Sequence, residues 1–306
     1  MSETVNEGVA APHLPVMVAE VMAALAVKPG GLYIDGTFGA GGHSRAILAA
    51  GGSVLAIDRD PLARDYARAL SDEAGAEGRL RLAGGNFRDL RGHLMAARLG
   101  RADGILWDLG LSSMHVDHPE RGFAFRQEGP LDMRMGGEGE TAAEVVNTYD
   151  EAELASIIYR YGEERHSRRV ARRIAEARAE KPIESTTELA DIVRRAYPAG
   201  PRRDHPARRT FQALRIHVND ELGALEQALE QAEEVLAPGG RLVVIAYHSL
   251  EDRIVKRFLR ASTRLEPLHK RPLTATDEEI ARNPRARSAK LRSAQKSPTT
   301  PAEARP

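Results

Sequence analysis

Nine residues, Asp35-Gly-Thr-Phe-Gly-Ala-Gly-Gly-His43, hold the densest group of glycines beside titratable side chains in this chain. Glycines let a backbone turn tightly and approach a ligand closely, and a helix starting here offers unpaired N–H groups to an anionic group. Further on, Asp58 closes the apolar run Ser53-Val-Leu-Ala-Ile-Asp58. A carboxylate at such a strand end is placed to take hydrogen bonds from two ribose hydroxyls. Loop and acid together predict a nucleoside cofactor. A dinucleotide loop would need glycine near position 44, where Ser44 stands, and no Gly-Lys-Ser/Thr sequence ends the loop as in a P-loop. Asp35 would repel a pyrophosphate but could hold an ammonium. A cofactor with a ribose, an amine and a carboxylate is S-adenosylmethionine.

These residues need a scaffold that sets strand ends side by side. From Leu32 the signals alternate: Leu32-Tyr-Ile-Asp35, the loop, a helix near His43–Ala50, then Ser53–Asp58. A helix over Pro61–Leu70 leads to Leu80-Arg-Leu82 and later to Gly104-Ile-Leu-Trp-Asp108. Strands recurring every 20 to 30 residues or so, with helices between, predict βαβ units and a parallel sheet. Residues 117–140 read as loop, and from Asp150 the pattern is helical for about 85 residues. Asp150 with Glu153, and Ser185 with Glu188, have the spacing of an N-capping box. A helix near Asn219–Leu236 puts Leu222, Leu225, Leu229 and Leu236 on one stripe. Ala237-Pro-Gly-Gly240 predicts a turn, and Arg241–Tyr247 a buried strand. The expected architecture is one α/β sheet interrupted by an all-helical insert. Its parts are a disordered tail over 1–13, a sheet domain over 14–116 and 217–260, an insert over 117–216 and a basic, extended C-terminal tail over 261–306.

Composition sets the outer limits. A chain of 306 residues with 42% hydrophobic and 29% charged residues is globular, with room for one large domain or two. The longest strongly apolar run, Leu242–Tyr247, is far short of the roughly 20 residues of a membrane span. The N-terminus carries Glu3 and Glu7 in place of a basic-then-apolar signal, so a cytoplasmic location is expected. Cysteine is absent, which excludes disulfides, thiolate zinc sites, iron–sulfur clusters and cysteine nucleophiles together. No His/Asp/Glu run has metal-ligand spacing, and no metal is expected. The 44 basic and 44 acidic residues cancel, yet residues 1–150 hold 14 basic against 21 acidic and residues 151–306 hold 30 against 23. A basic second half suits a phosphate-bearing partner, although 38 of the basic residues are Arg, a usage that GC-rich codons also produce.

Several segments together resemble the bacterial small-subunit rRNA methyltransferase H family, also called MraW. They are Asp35–His43, Ala56-Ile-Asp-Arg-Asp-Pro61, Asp103-Gly-Ile-Leu-Trp-Asp-Leu-Gly-Leu-Ser-Ser113, Glu120-Arg-Gly-Phe-Ala-Phe125 and Gly129-Pro-Leu-Asp-Met-Arg134. Tyr161-Gly-Glu-Glu-Arg165, His205-Pro-Ala-Arg-Arg-Thr-Phe-Gln212, His248-Ser-Leu-Glu-Asp-Arg253 and Asn283-Pro-Arg-Ala-Arg-Ser288 continue it in the same order. The resemblance implies a class I, Rossmann-like methyltransferase sheet with a helical insert. It further implies N4-methylation of the cytidine at position 1402 of 16S rRNA, in the P site, with S-adenosylmethionine as donor. Carried over position by position, the cofactor contacts are Gly41, Gly42, His43, Asp58, Phe87, Asp108 and position 115, where the family pattern has Gln and this chain has His115. The partner is 16S rRNA, within the small ribosomal subunit.

Cytosine can be methylated at C5 or at N4, and the C5 route needs a cysteine that adds to C6. This chain has none. The N4 route needs the amine in line with the sulfonium methyl and an acceptor on its N–H. Asp108 stands where amino-methyltransferases place their motif after the fourth strand, without that motif's prolines and aromatic. It is expected to touch the cofactor and to orient the amine. Phe123 and Phe125 are candidates for stacking on an extruded base, against the plainer reading of a hydrophobic anchor. His248 is a candidate for proton removal or RNA contact, or a satisfied histidine at a strand end. Arg165, Arg168, Arg169, Arg172 and Arg173 lie at helical spacing and suit a solvated face, whereas Arg202, Arg203, Arg208 and Arg209 beside His205-Pro206 suit phosphates. Two other classes stay open on the residues alone: a non-catalytic RNA-binding scaffold and a small-molecule methyltransferase.

Overall fold

The computed structural model describes residues 14–73, 76–198, 200 and 204–298, so the tail expected over 1–13 lies outside the described residues. The first part follows the expected alternation: α1 (Val18–Leu25), β1 (Leu32–Asp35), α2 (Gly42–Ala49), β2 (Ser53–Asp58), α3 (Ala63–Ser71), β3 (Leu80–Gly84), α4 (Leu90–Ala96) and β4 (Ala102–Asp108). A short α5 (Ser113–Val116) precedes the insert helices α6 (Ala142–Thr148), α7 (Glu151–Gly162), α8 (Ser167–Glu180), α9 (Thr186–Arg195) and α10 (Ala207–Asn219). The chain then returns through α11 (Glu221–Val235), β5 (Leu236–Ala246), α12 (Ser249–Ala261), β6 (Leu265–Pro267), α13 (Asp277–Arg282) and β7 (Lys290–Lys296).

The strands form one sheet in the order β3-β2-β1-β4-β5-β7-β6. Strands β1 to β5 are parallel, and β7 runs antiparallel between β5 and β6. The order reverses between β1 and β4, and such a reversal opens a crevice beyond the carboxyl ends of the strands. Residues adjacent in sequence alternate between two cores, as a period of two requires. Tyr33, Val54, Ala56, Leu106, Val243 and Ile245 face α1, α2 and α3, while Ile34, Leu55, Ile57, Ile105, Trp107, Leu242 and Val244 face α4, α11 and α12. Burial on both faces explains why these strands read as unbroken apolar runs.

The insert has a core of its own. Val145, Leu154, Ile158, Val170, Ile174, Leu189, Val193 and Leu214 meet in it, together with Phe123, Leu131 and Met133 from the segment read as loop. That segment lacks regular hydrogen-bonded structure over most of its length, yet it is packed, because its few apolar residues each find the helical core. Asp150 and Glu153 form the expected capping box. Ser185 caps α9 through the Glu188 N–H at 3.2 Å, but the Glu188 carboxylate accepts from the Glu184 N–H.

Two expectations need correction. The Pro238-Gly239-Gly240 stretch is not a separate turn: β5 already begins at Leu236, opposite Ala102, and the register shifts before Arg241 pairs with Gly104. Nor is the stretch after Ala261 an extended tail. Its strand β7 lies inside the sheet and buries Leu291 and Ala294. Basic composition concealed this, because two of its cations are consumed internally. Arg292 Nε donates to Asp252 Oδ1 at 2.7 Å, and Lys296 Nζ donates to the Leu236 carbonyl at 2.7 Å, at the end of α11. Among the described residues no helix is long and apolar enough to cross a membrane.

Candidate functional site

A cavity of about 520 Å³ opens at the carboxyl ends of β1, β2, β4 and β5, within the range of roughly 300–1,000 Å³ usual for small-ligand sites. Its walls come from the glycine loop, the strand ends, α10 of the insert and two short stretches, 14–16 and 285–288.

On the sheet side, loop geometry explains the residue types. A Cβ on Gly36 would stand 2.3 Å from Trp107 Nε1, and Gly41, at φ +80°, is left-handed with the Phe38 ring 2.8 Å from where its Cβ would be. Asp58 lines the cavity at the end of β2. Its Oδ2 accepts the Gly39 N–H at 2.7 Å and its Oδ1 the Asp60 N–H at 2.8 Å, so the carboxylate is held by backbone with lone pairs to spare. Burial nevertheless keeps its pKa above the usual carboxylate range. Phe87 lines the same wall and packs on Trp107 at 5.8 Å between centroids. Gly42 and His43 also line it, with His43 Nε2 donating to the Val16 carbonyl at 2.9 Å.

Asp108 ends β4 at the cavity wall. Its Oδ2 lies 3.9 Å from His43 Nδ1, its Oδ1 accepts the Gly110 N–H at 3.3 Å, and Thr37 Oγ1 accepts the Asp108 N–H at 2.7 Å. Burial raises its pKa, against the charge of His43 and a hydrogen bond from the Tyr247 hydroxyl. His115 lines the cavity too, with Nε2 3.0 Å from Asp60 Oδ2 and its ring 4.9 Å from that of Phe123.

Two loop residues stand back from the cavity. Asp35, expected to hold an ammonium, is 1% exposed and is not part of the lining. It accepts the Ser44 hydroxyl at 2.7 Å and the Thr37 N–H at 3.3 Å, bracing the first turn of α2. Burial rather than solvent surrounds it, which raises its pKa. Gly41 likewise shapes the loop from behind.

On the insert side, α10 turns Arg208, Phe211, Gln212, Arg215 and Asn219 toward the cavity, a spacing of three and four residues. Arg208 is half-exposed beside Asp204 at 3.3 Å. Arg209 points elsewhere and donates to the Glu163 carbonyl at 2.9 Å. Arg202 and Arg203 lie outside the described residues. Phe123 and Phe125 both line the cavity; Phe123 is buried in the insert core, while Phe125 stacks on His205 at 4.8 Å with the edge of Phe211 against it. The exposed arginines 165, 168, 169, 172 and 173 are away from the cavity.

His248 caps α12 at the cavity edge, facing Glu251 with both ring nitrogens: Nδ1 is 3.4 Å from the Glu251 N–H and Nε2 is 3.1 Å from Glu251 Oε1. Folding also brings Glu221 to this pair, so that one ligand atom from each of the three lies within 4.8 Å of the others. Their spacing in sequence did not reveal this grouping. Glu221 is already gripped by Arg215, whose Nε and Nη2 both donate at 2.8 Å, and the three behave as an ion-pair and capping network. Sequence reasoning also missed Tyr247, Gln212 and Arg215. Tyr247 follows β5 as Asp108 ends β4, and Gln212 and Arg215 are four and seven residues beyond Arg208, so strand ends and helical spacing were the available signals.

Residues 10–297 match the MraW methylase family. The Ribosomal RNA small subunit methyltransferase H of Deinococcus deserti is 57% identical over 284 residues, covering 93% of each chain. That of Deinococcus radiodurans is 56% identical over 280 residues, covering 92% of this chain and 88% of the relative. That of Gluconobacter oxydans is 52% identical over 300 residues, covering 92% of each. The chain belongs to the MraW methylase family, the S-adenosylmethionine-dependent methyltransferases that its motifs resemble.

Proposed function

We propose that this methyltransferase acts on small-subunit ribosomal RNA, at the exocyclic N4 of the cytidine at position 1402 of 16S rRNA. The observation that carries the reading is Asp108: a partly buried carboxylate on the wall of the cavity shared with Asp58 and the glycine loop, in a chain without cysteine. S-adenosylmethionine fits that cavity. Asp58 has acceptors left for ribose hydroxyls, Phe87 offers an aromatic wall, and Gly39 and Gly42 allow close approach. When bound, the cofactor supplies an electrophilic methyl group.

The chain's own residues then position the nucleophile. Asp108 accepts an N–H of the target amine, which raises the electron density on a poorly nucleophilic nitrogen, and burial makes that carboxylate a better proton acceptor. His43 and the Tyr247 hydroxyl hold it in place. Phe125 is the better of the two stacking candidates, because Phe123 is committed to the insert core. Proton removal by His248 has less support, since both of its nitrogens face Glu251. The insert over 117–216 takes the recognition role, and of Arg208 and Arg209 the former is better placed for a phosphate. Mass spectrometry of digested rRNA after reaction should find N4-methylcytidine, and 5-methylcytidine in its place would refute the mechanism. Assays on naked 16S rRNA and on assembled subunits identify the form that is modified.

A further inference from the structure

On the cavity face of α10, two side chains have hydrogen-bonding atoms that no described residue uses. Gln212 Nε2 donates to the Tyr161 carbonyl at 3.0 Å. Only the amide nitrogen can donate to a carbonyl, so the contact fixes the amide and leaves Oε1 as a free acceptor. Three residues on, Arg215 gives Nε and Nη2 to Glu221, both at 2.8 Å. This pair locks the guanidinium and leaves Nη1 as a donor. Residues three apart on a helix are neighbours, with Cβ atoms about 5–6 Å apart. The cavity wall therefore carries an acceptor beside a donor, next to Phe211 and within reach of the Phe125 stack.

We propose that Gln212 and Arg215 read the pairing edge of the target base and select cytosine over uracil. Cytosine presents an N4–H donor beside the N3 and O2 acceptors, which match Gln212 Oε1 and Arg215 Nη1. Uracil presents O4 and N3–H, which would set acceptor against acceptor and donor against donor. The second N4–H stays available for Asp108. This inference rests on the cytosine-N4 reading of the site, and Gln212 and Arg215 act in it as specificity residues.

The test uses the full chain and small ribosomal subunits lacking the modification, with either cytidine or uridine at the target position. Uridine subunits serve as competitive inhibitors of methylation of cytidine subunits, and the readout is the ratio of the uridine Ki to the cytidine KM. For the wild type this ratio should be about 5 to 150, the discrimination that one well-made base contact supplies. In Gln212→Leu, which keeps the side chain's bulk but has no acceptor, it should fall several-fold, with Arg215 supplying what remains. Arg215→Lys, which keeps a cation on Glu221 but loses the planar fork, should lower it in part. S-adenosylmethionine affinity measured by calorimetry should be the same in all three proteins, which a general loosening of α10 would not allow. A wild-type ratio near one, or an unchanged ratio in Gln212→Leu, overturns the proposal while leaving the reaction intact. Methylation of subunits without N4-methylcytidine would instead sink the functional reading, and the base-reading role with it.

Discussion

On the sheet side of the cavity the acidic groups are partly buried and fastened to backbone, as with Asp58 between the Gly39 and Asp60 N–H groups. On the insert side, Arg208 has half its side chain in water and pairs with the exposed Asp204. A carboxylate held by fixed backbone donors cannot relax when its ligand arrives, so its geometry is set in advance and specific to a small molecule. An exposed arginine gives long-range attraction to phosphate that salt screens, with little demand on geometry. On the proposed function the two features would divide the work: the strand-end carboxylates fix the chemistry, and Arg208 draws in the phosphates of the RNA.

The most severe break of that contrast is to remove part of the sheet. A chain ending at Ala289 would lack β7, leave the β5 edge unpaired and lose the contacts of Leu291 and Ala294. It should show no cooperative unfolding of the sheet domain by circular dichroism, while surface changes on α10 leave that transition in place.

Next in size is Asp108→Asn, which should lower turnover by about 10²–10⁴-fold and change cofactor affinity much less. Equal losses in both would restrict Asp108 to cofactor binding. The same variant has a stability signature. Burial raises the Asp108 pKa, so the native state holds that proton more tightly than the unfolded chain. The associated stability is present below the ordinary Asp range and is lost as pH rises through the folded value. Asn carries no charge to bury, so the variant should melt above the wild type at about pH 8, with the gap closing as pH falls toward about 4.

Asp58→Ala removes charge-assisted hydrogen bonds and should weaken cofactor binding by about 1–3 kcal/mol, measured by calorimetry, without changing RNA affinity. The smallest expected effect separates two neighbours on α10. Arg208→Ala should flatten the salt dependence of RNA affinity by about 0.7–0.9 in log–log slope. Arg209→Ala should leave that slope alone, because its side chain is tied to the Glu163 carbonyl. Identical slopes in the two variants would show that the cavity-facing arginine is not the one that meets phosphate.

Much of this was legible in sequence, where it depended on neighbours along the chain. Strands β1, β2 and β4 are apolar runs ended by Asp, and the core of β5 is one preceded by Gly239-Gly240; the glycine loop and Asp58 follow from local conformational demands; the Asp150–Glu153 capping box is a spacing of three residues. The absence of cysteine by itself excludes one reaction class. What tertiary structure alone decided was direction and company. Asp35 turns inward to Ser44 and away from the cavity, although its place before the loop suggested an ammonium partner. β7 pairs with β5 and β6 and buries Leu291 and Ala294, while Arg292 and Lys296 find partners on α12 and at the end of α11, which no composition count reveals. Glu221, His248 and Glu251 meet, and Gln212 and Arg215 face the strand ends, only once α10, α11 and α12 are packed. A side chain's conformation is set by what fills the space around it. Where that space is filled from distant parts of the chain, the residue's type is written in the sequence and its role is not.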